Sequence, residues 1–253
     1  MRGTHGYGDD GPRIPGGMGF GNPDVVFDDS GDNATPGGRT HDSGTFYGLS
    51  VFFAVIGYGA MAVTAYYFRH WVPTTIWWYL ATLLGVLVSM WAGSAWAIAS
   101  QSWVASLFAY LVLVAGPFGV LFGPIVLVVG SGILFPAVII TAALMVVACF
   151  IGLALPAELY TTRFGDVLGI GMLAYLVTSV SLLKASAHHP EVAYWVAIAG
   201  IVLFFLLTIN DSNRLKSIAR KDTDNAVDGG LQLWLNSVNT LLRVITALLT
   251  KRN

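Results

Sequence analysis

From residue 46 onward the chain alternates between long apolar stretches and short polar joints, and each stretch is about as long as a bilayer crossing. A span takes roughly 20 mainly apolar residues. The first is expected at Leu49–Phe68, followed by Arg69, His70 and Trp71; with Tyr66, Tyr67 and Phe68 these form the aromatic and basic belt of a membrane interface. The second is expected at Ile76–Ala99, opened by Trp77, Trp78 and Tyr79. The third covers Trp103–Val126 and should be interrupted at Gly116-Pro117 and Gly123-Pro124, because proline removes a helical hydrogen bond. The fourth runs Ile133–Leu155, the fifth Asp166–Lys184, the sixth Val192–Asn210 and the seventh Gly229–Thr250. The pattern predicts an all-α, multi-pass transmembrane bundle of seven helices.

The seventh stretch is patterned differently from the others. Leu231, Leu235, Val238, Leu242, Ile245 and Leu249 share one face, while Gln232, Asn236, Asn239, Arg243, Thr246 and Thr250 follow the same rhythm on another. Helices that lie flat at an interface usually carry many lysines and arginines on the polar face. This stripe is amides and hydroxyls with one arginine, so a spanning helix is expected, its polar face turned to the bundle interior.

Composition supports the membrane reading. Hydrophobic residues make up 55% of the chain and charged residues 11%, and the mean hydropathy is +0.69; soluble domains carry about 25% charged residues. No Asp, Glu, Lys or Arg occurs between Arg69 and Glu158, a run with no solvated face in a globular fold. Residues 1–45 are a different material, rich in Gly, Pro, Asp and Asn. Three arginines (Arg2, Arg13, Arg39) against seven aspartates (Asp9, Asp10, Asp24, Asp28, Asp29, Asp32, Asp42) give a net −4. Such a tail buries too little apolar surface to fold alone and is expected to be disordered unless a protein partner binds it. It lacks the apolar core of a signal peptide and is too acidic for a transit peptide. The organisation expected is therefore an acidic tail over 1–45 and a seven-helix membrane domain over 46–253.

Charge also excludes a class and suggests an orientation. A formal net charge of −1 with no basic patch gives no nucleic-acid signature. With seven spans the N-terminal side holds Arg2, Arg13, Arg39, Arg163, Arg214, Lys216, Arg220 and Lys221, eight basic residues against four (Arg69, Lys184, Lys251, Arg252) opposite. The N-terminus is therefore expected on the cytoplasmic side, or the matrix side in a mitochondrion. Whether the membrane is the mitochondrial inner membrane, a bacterial membrane or another intracellular one is left open.

Small residues recur at four-residue spacing at Gly85, Ser89 and Gly93, at Gly119 and Gly123, and at Gly165 and Gly169. Such stripes serve a dimer interface or packing within the bundle; a seven-helix protein has many internal contacts to make, so the second use is expected. The single cysteine, Cys149, sits in an apolar run and reads as a small buried hydrophobe. His188 and His189, beside Glu191, are expected to be solvated loop residues, since no third strong ligand accompanies them. Glu158, Arg163 and Asp166 read as an interfacial charge cluster. Neither a nucleophile–base pair nor a phosphate-binding loop is present, so no catalytic residue, metal or cofactor is expected and the chain is not read as an enzyme.

One ordered set of residues carries a resemblance. Asp211 in INDSNRLKSI is followed, after a short charged loop, by Leu233-Trp234-Leu235-Asn236, Asn239 and Arg243 in GLQLWLNSVNTLLRVI. This pair of segments resembles the Bax inhibitor-1 (transmembrane Bax-inhibitor-motif) family. There the sixth span ends in tyrosine-aspartate, and the seventh reads leucine-tyrosine-leucine-aspartate, then asparagine and arginine. The detailed resemblance covers about the last 45 residues, and span count and order extend it over residues 46–253. It implies a seven-helix bundle with a semi-polar last helix at its centre, and a pH-sensitive calcium leak held shut by two aspartates sharing a proton. Asp211 matches the first aspartate, but Asn236 stands at the second. An amide does not titrate, so the carboxylate pair cannot form, although Asp211 could accept a hydrogen bond from Asn236 or pair with Arg214 or Arg243.

Two functions are expected from these features. One is a Bax inhibitor-1-like calcium or proton leak channel with altered or lost pH gating, its path lined by Asp211, Asn236, Asn239 and Arg243. The other is a non-conducting structural or accessory subunit of a larger membrane complex. The expected partners are the lipid bilayer, calcium in the first case, and proteins binding the acidic tail.

Overall fold

The computed structural model of the protein describes residues 41–71, 75–100, 102–156, 162–182, 189–218, 221 and 223–252. The expected acidic tail lies outside the described residues up to Thr40, as do Glu158, Lys184, His188 and Arg220. Among the described residues the chain forms seven helices and no strand. Six helices are long and apolar enough to cross a membrane; in the remaining one, α2, the apolar stretch is Leu80–Gly93.

Helix α1 runs Ser43–Phe68, starting well before Leu49. Asp42 sets that start. Its backbone is extended and its Oδ1 accepts the Thr45 N–H at 3.3 Å, satisfying one of the donors that a helix start leaves free. The Thr45 hydrogen bond holds the exposed Asp42 carboxyl below the usual carboxylate range, outweighing slight desolvation. Packing extends the helix equally: Phe46 and Ser50, in its first two turns, are both fully buried.

Helix α2 spans Ile76–Ser100, and α3 spans Trp103–Val129. The expected interruption of α3 is not a break. The helix winds as α over Trp103–Phe108, widens to π over Ala109–Ala115, and returns to α at Gly116–Val129 with Pro117 in the first turn. A π-turn places the irregularity just ahead of the proline. Pro117 has no N–H to give the Leu113 carbonyl, and the Ser89 hydroxyl of α2 donates to that oxygen at 2.8 Å. Part of the predicted packing stripe on α2 thus supplies the missing donor.

Helix α3 passes into α4, Ser131–Ala154, at Gly130 alone. Its φ of 70° and ψ of 167° form a combination essentially closed to side chains with a Cβ. The remaining helices are α5 (Thr162–Ser181), α6 (Pro190–Ser217) and α7 (Thr223–Arg252). The sequence expectation ended the sixth span at Asn210; α6 continues to Ser217, because Ser212, Asn213 and Leu215 are buried and keep the polar end of the helix packed.

Helix α7 is the centre of the molecule, packed against α1, α3, α4 and α6. Its buried residues Trp234, Val238, Thr240, Leu241, Val244 and Ile245 share one side of the axis, and most members of both sequence stripes are only half-buried. The two stripes read from the sequence are therefore not an inner and an outer face. Helix α2 packs chiefly on α3, and α5 on α6, at the two flanks. The stripe at Gly119 and Gly123 works inside the bundle. A Cβ at Gly119 would lie 2.5 Å from the Met61 carbonyl of α1, and one at Gly123 would lie 2.8 Å from the Ala65 carbonyl. Gly169 has nothing within 4 Å of its Cβ position.

Candidate functional site: the junction of α6 and α7

The polar residues of the bundle gather where α6 meets α7. Asn236 of α7 donates from Nδ2 to Oδ2 of Asp211 on α6 at 2.7 Å. Because α6 runs on to Ser217, Asp211 faces the central helix from within α6 instead of terminating a span, as the sequence had suggested. Asn236 is only 8% exposed, so water does not compete for its amide. Of the sequence-level alternatives for Asp211, the Asn236 amide bonds it directly, the Arg214 cation interacts with it electrostatically, and Arg243 turns away to Tyr175.

Two neighbours on α7, Thr240 and Ser237, are tied down by hydrogen bonds, while the buried Trp234 N–H and Tyr110 hydroxyl have no hydrogen-bond partner among the described residues. Thr240, fully buried, donates to the Asn236 carbonyl one turn back at 2.8 Å. Ser237 accepts a hydrogen bond from the Tyr58 hydroxyl of α1. Trp234 is fully buried, in edge-to-face contact with Tyr110 at 5.8 Å and Phe118 at 5.6 Å, both on α3. Two residues apart on α7, Trp234 and Asn236 lie roughly 160° apart around the helix axis, so the aromatic side chains fill the side of α7 that meets α3, away from the side that meets Asp211.

The other two predicted residues are elsewhere. Asn239 turns its amide back to the Leu235 carbonyl of its own helix at 2.9 Å. Arg243 reaches across α6 to α5, its guanidinium 5.1 Å from the centroid of the Tyr175 ring. Asp211 and Asn236 are brought together; Asn239 and Arg243 are not brought to them.

Sequence reasoning missed two residues beside the site, Asn213 and Lys216. Asn213 Nδ2 donates to the Gly152 carbonyl at 2.9 Å and the Leu155 carbonyl at 3.0 Å. Lys216 Nζ donates to the Leu153 carbonyl at 2.8 Å and also to Leu155. Both serve the last turn of α4, whose carbonyls have no intrahelical partner. The four-residue spacing from Ser212 to Lys216 carried no such signal, since both read as loop polarity. Nearby, the His41 N–H donates to the Lys221 carbonyl at 2.7 Å, and the His41 ring is hydrogen-bonded to the Thr223 hydroxyl at 3.1 Å. The start of α1, the ends of α4 and α6 and the start of α7 therefore meet at one end of the bundle. At the other end, His189 pairs with Glu191 at 3.2 Å in an exposed position. Cys149, half-buried, accepts a long hydrogen bond from Ser212 at 3.4 Å.

Among the described residues no group of three or more His, Cys, Asp or Glu side chains forms a metal cluster. What the junction can do is hold the half-buried Asp211 carboxylate by the amides of Asn236 and Asn210, with no second acid beside it among the described residues. In comparisons with known proteins, the family model described as Inhibitor of apoptosis-promoting Bax1 matches residues 39–253. No curated protein matches the chain.

Proposed function

As the chain belongs to the Bax inhibitor-1 family over nearly its whole length, we propose that it is a cation leak, for calcium or protons, that has lost the pH gate. The observation behind this reading is the hydrogen bond from Asn236 to Asp211 at 2.7 Å. In the carboxylate pair that the family resemblance implies, two acids at such a distance cannot both ionise cheaply, and the shared proton makes the contact depend on pH. An amide donor makes the same contact at any pH at which Asp211 is ionised. Asp211 and Asn236 are the site residues of this reading; Asn239 and Arg243 line the same helix beyond them. No enzymatic reaction and no resident cofactor are assigned.

The protein is an integral, multi-pass membrane protein. We place its N-terminus on the cytoplasmic or matrix side, on the excess of basic residues there, in a mitochondrial inner membrane or a bacterial or other intracellular membrane. Calcium-dye signals from liposomes holding the purified protein test the leak between pH 6 and 8. The expected flux exceeds that of empty vesicles and is flat across the range, and Asn236→Asp makes it vary with pH. Wild-type flux that itself rises or falls steeply with pH would refute the lost gate.

A second reading, a non-conducting structural or accessory subunit of a larger membrane complex, is favoured by Trp234. With its ring fully buried against Tyr110 and Phe118, it packs the central helix tightly against α3. Flux equal to empty vesicles, together with a large assembly on native electrophoresis after mild extraction, would select this reading over the first.

A further inference from the structure

Arg243 is the one arginine of α7 that lies well inside the helix, nine residues before its end at Arg252, roughly 14 Å along the axis. A charge at such depth is costly unless it is paired or hydrogen-bonded. Its ring contact with Tyr175 attracts the cation but gives its N–H groups no acceptor. The Nε is buried without a hydrogen-bond partner in the described structure, although a guanidinium carries five N–H donors.

The surroundings show why the side chain lies there and what could reach it. Helices α5 and α7 both pack on α6, and it is across α6 that Arg243 meets Tyr175. The crossing is at Gly200, where a Cβ would lie 2.4 Å from the Tyr175 hydroxyl and 3.0 Å from Arg243 Cγ. Gly200 is thus a notch in α6, floored by backbone. Tyr175 is fastened over it, its hydroxyl donating to the Val196 carbonyl at 3.2 Å. One turn along the same face of α5 is Ser179, whose hydroxyl oxygen is also buried and without a partner. Two buried polar atoms without partners among the described residues therefore lie near this crossing, Arg243 Nε at Tyr175 and the Ser179 hydroxyl one turn farther along α5, and one of them belongs to a cation. Arg243 as a whole is only partly buried, and the outer face of α5 beside it is exposed and apolar at Leu176, Val177 and Val180.

From this geometry we propose that Arg243 anchors a site for the phosphate of a phospholipid, entered sideways from the bilayer between α5 and α7. The phosphate oxygens accept from the guanidinium in the paired geometry that arginine offers and lysine does not. The acyl chains lie along the apolar outer face of α5, exposed among the described residues at Leu176, Val177 and Val180. The opposite charge of the ligand and the lateral opening onto lipid together select an anionic amphiphile over a soluble anion.

The test is native mass spectrometry of the full chain in detergent, titrated with phosphatidylglycerol and, separately, with diacylglycerol of the same chains. The wild-type protein is expected to retain phosphatidylglycerol about tenfold better, the scale of one charge-assisted contact. Arg243→Gln abolishes that preference, Arg243→Lys restores part of it, and diacylglycerol retention is the same in all three. Equal retention of the two lipids by the wild type overturns the proposal even if no variant folds. So does an unchanged preference in Arg243→Gln. Displacement of phosphatidylglycerol by millimolar inorganic phosphate overturns the lipid assignment in favour of a free-anion site.

Discussion

Replacing Asn236 by leucine, which has the same branched skeleton of heavy atoms, removes the hydrogen bond at the α6–α7 junction. The change removes the Nδ2 donor 2.7 Å from Asp211 Oδ2 and leaves the carboxylate facing a methyl group. Hydrogen bonds to charged groups contribute about 1.5–3 kcal/mol, and an orphaned buried partner adds to the loss on removal. Asn236 is only 8% exposed, which leaves little access for water to take over the amide's role. The backbone contact from Thr240 to the Asn236 carbonyl survives the substitution and does not confuse the result. A double-mutant cycle with Asp211→Leu should return a coupling of about 1.5–3 kcal/mol, against about 0.5 kcal/mol or less for independent sites. In a thermal melt of the purified protein this is a loss of roughly 3–12 °C for Asn236→Leu, at roughly 2–4 °C per kcal/mol for a chain of this length. The exchanged pair, Asp211→Asn with Asn236→Asp, keeps one acid and one amide and should recover most of the loss. A coupling within error of zero, or an exchanged pair no more stable than the single variants, would show that the two side chains do not hold the helices together.

Other consequences are open to direct measurement. Gly119→Val should destabilise the protein by about 1–3 kcal/mol in a chemical unfolding series, because its Cβ meets the α1 backbone at 2.5 Å; Gly169→Val, with open space at its Cβ position, should cost far less. Lys216→Met should release the last turn of α4 and speed amide exchange within Leu153–Leu155 and the turn before it, with no comparable change in α2. Asp42 has a lowered folded-state pKa, so its contribution is present above the unfolded carboxylate range and is lost as pH falls through the folded value. The protection of the Thr45 amide, its exchange rate taken relative to the intrinsic rate at each pH, should accordingly fall at acid pH in the wild type, whereas Asp42→Asn, a cap that does not titrate, should remove that pH dependence.

Much of the architecture is legible in the amino-acid order because the bilayer leaves few alternatives. A stretch such as Ile133–Leu155 can satisfy its backbone in lipid only as a helix, so hydropathy alone locates α4 to within two residues. The semi-polar seventh segment was likewise readable from its periodicity, and its pairing with Asp211 as one of the arrangements left open by the family resemblance. Boundaries were legible only where hydropathy ends them. Helix α1 begins six residues before Leu49 because Asp42 caps it and α7 buries its first turns, and α6 outlasts Asn210 because Asn213 and Lys216 find the carbonyls of α4.

What the tertiary structure alone decided is which polar groups meet. Asn236, Asn239 and Arg243 share one stripe in the sequence, yet one bonds Asp211, one bonds its own helix and one crosses to α5. Helical periodicity assigns a residue to a direction; the partner in that direction depends on how neighbouring helices approach, and Gly119, Gly130 and Gly200 control those approaches through side chains they lack. The sequence by itself determined that this protein lives in a membrane as a helical bundle, since lipid imposes that on any chain so apolar. Only the packed structure decided that Asp211 is held by an amide and that Arg243 is left without an acceptor.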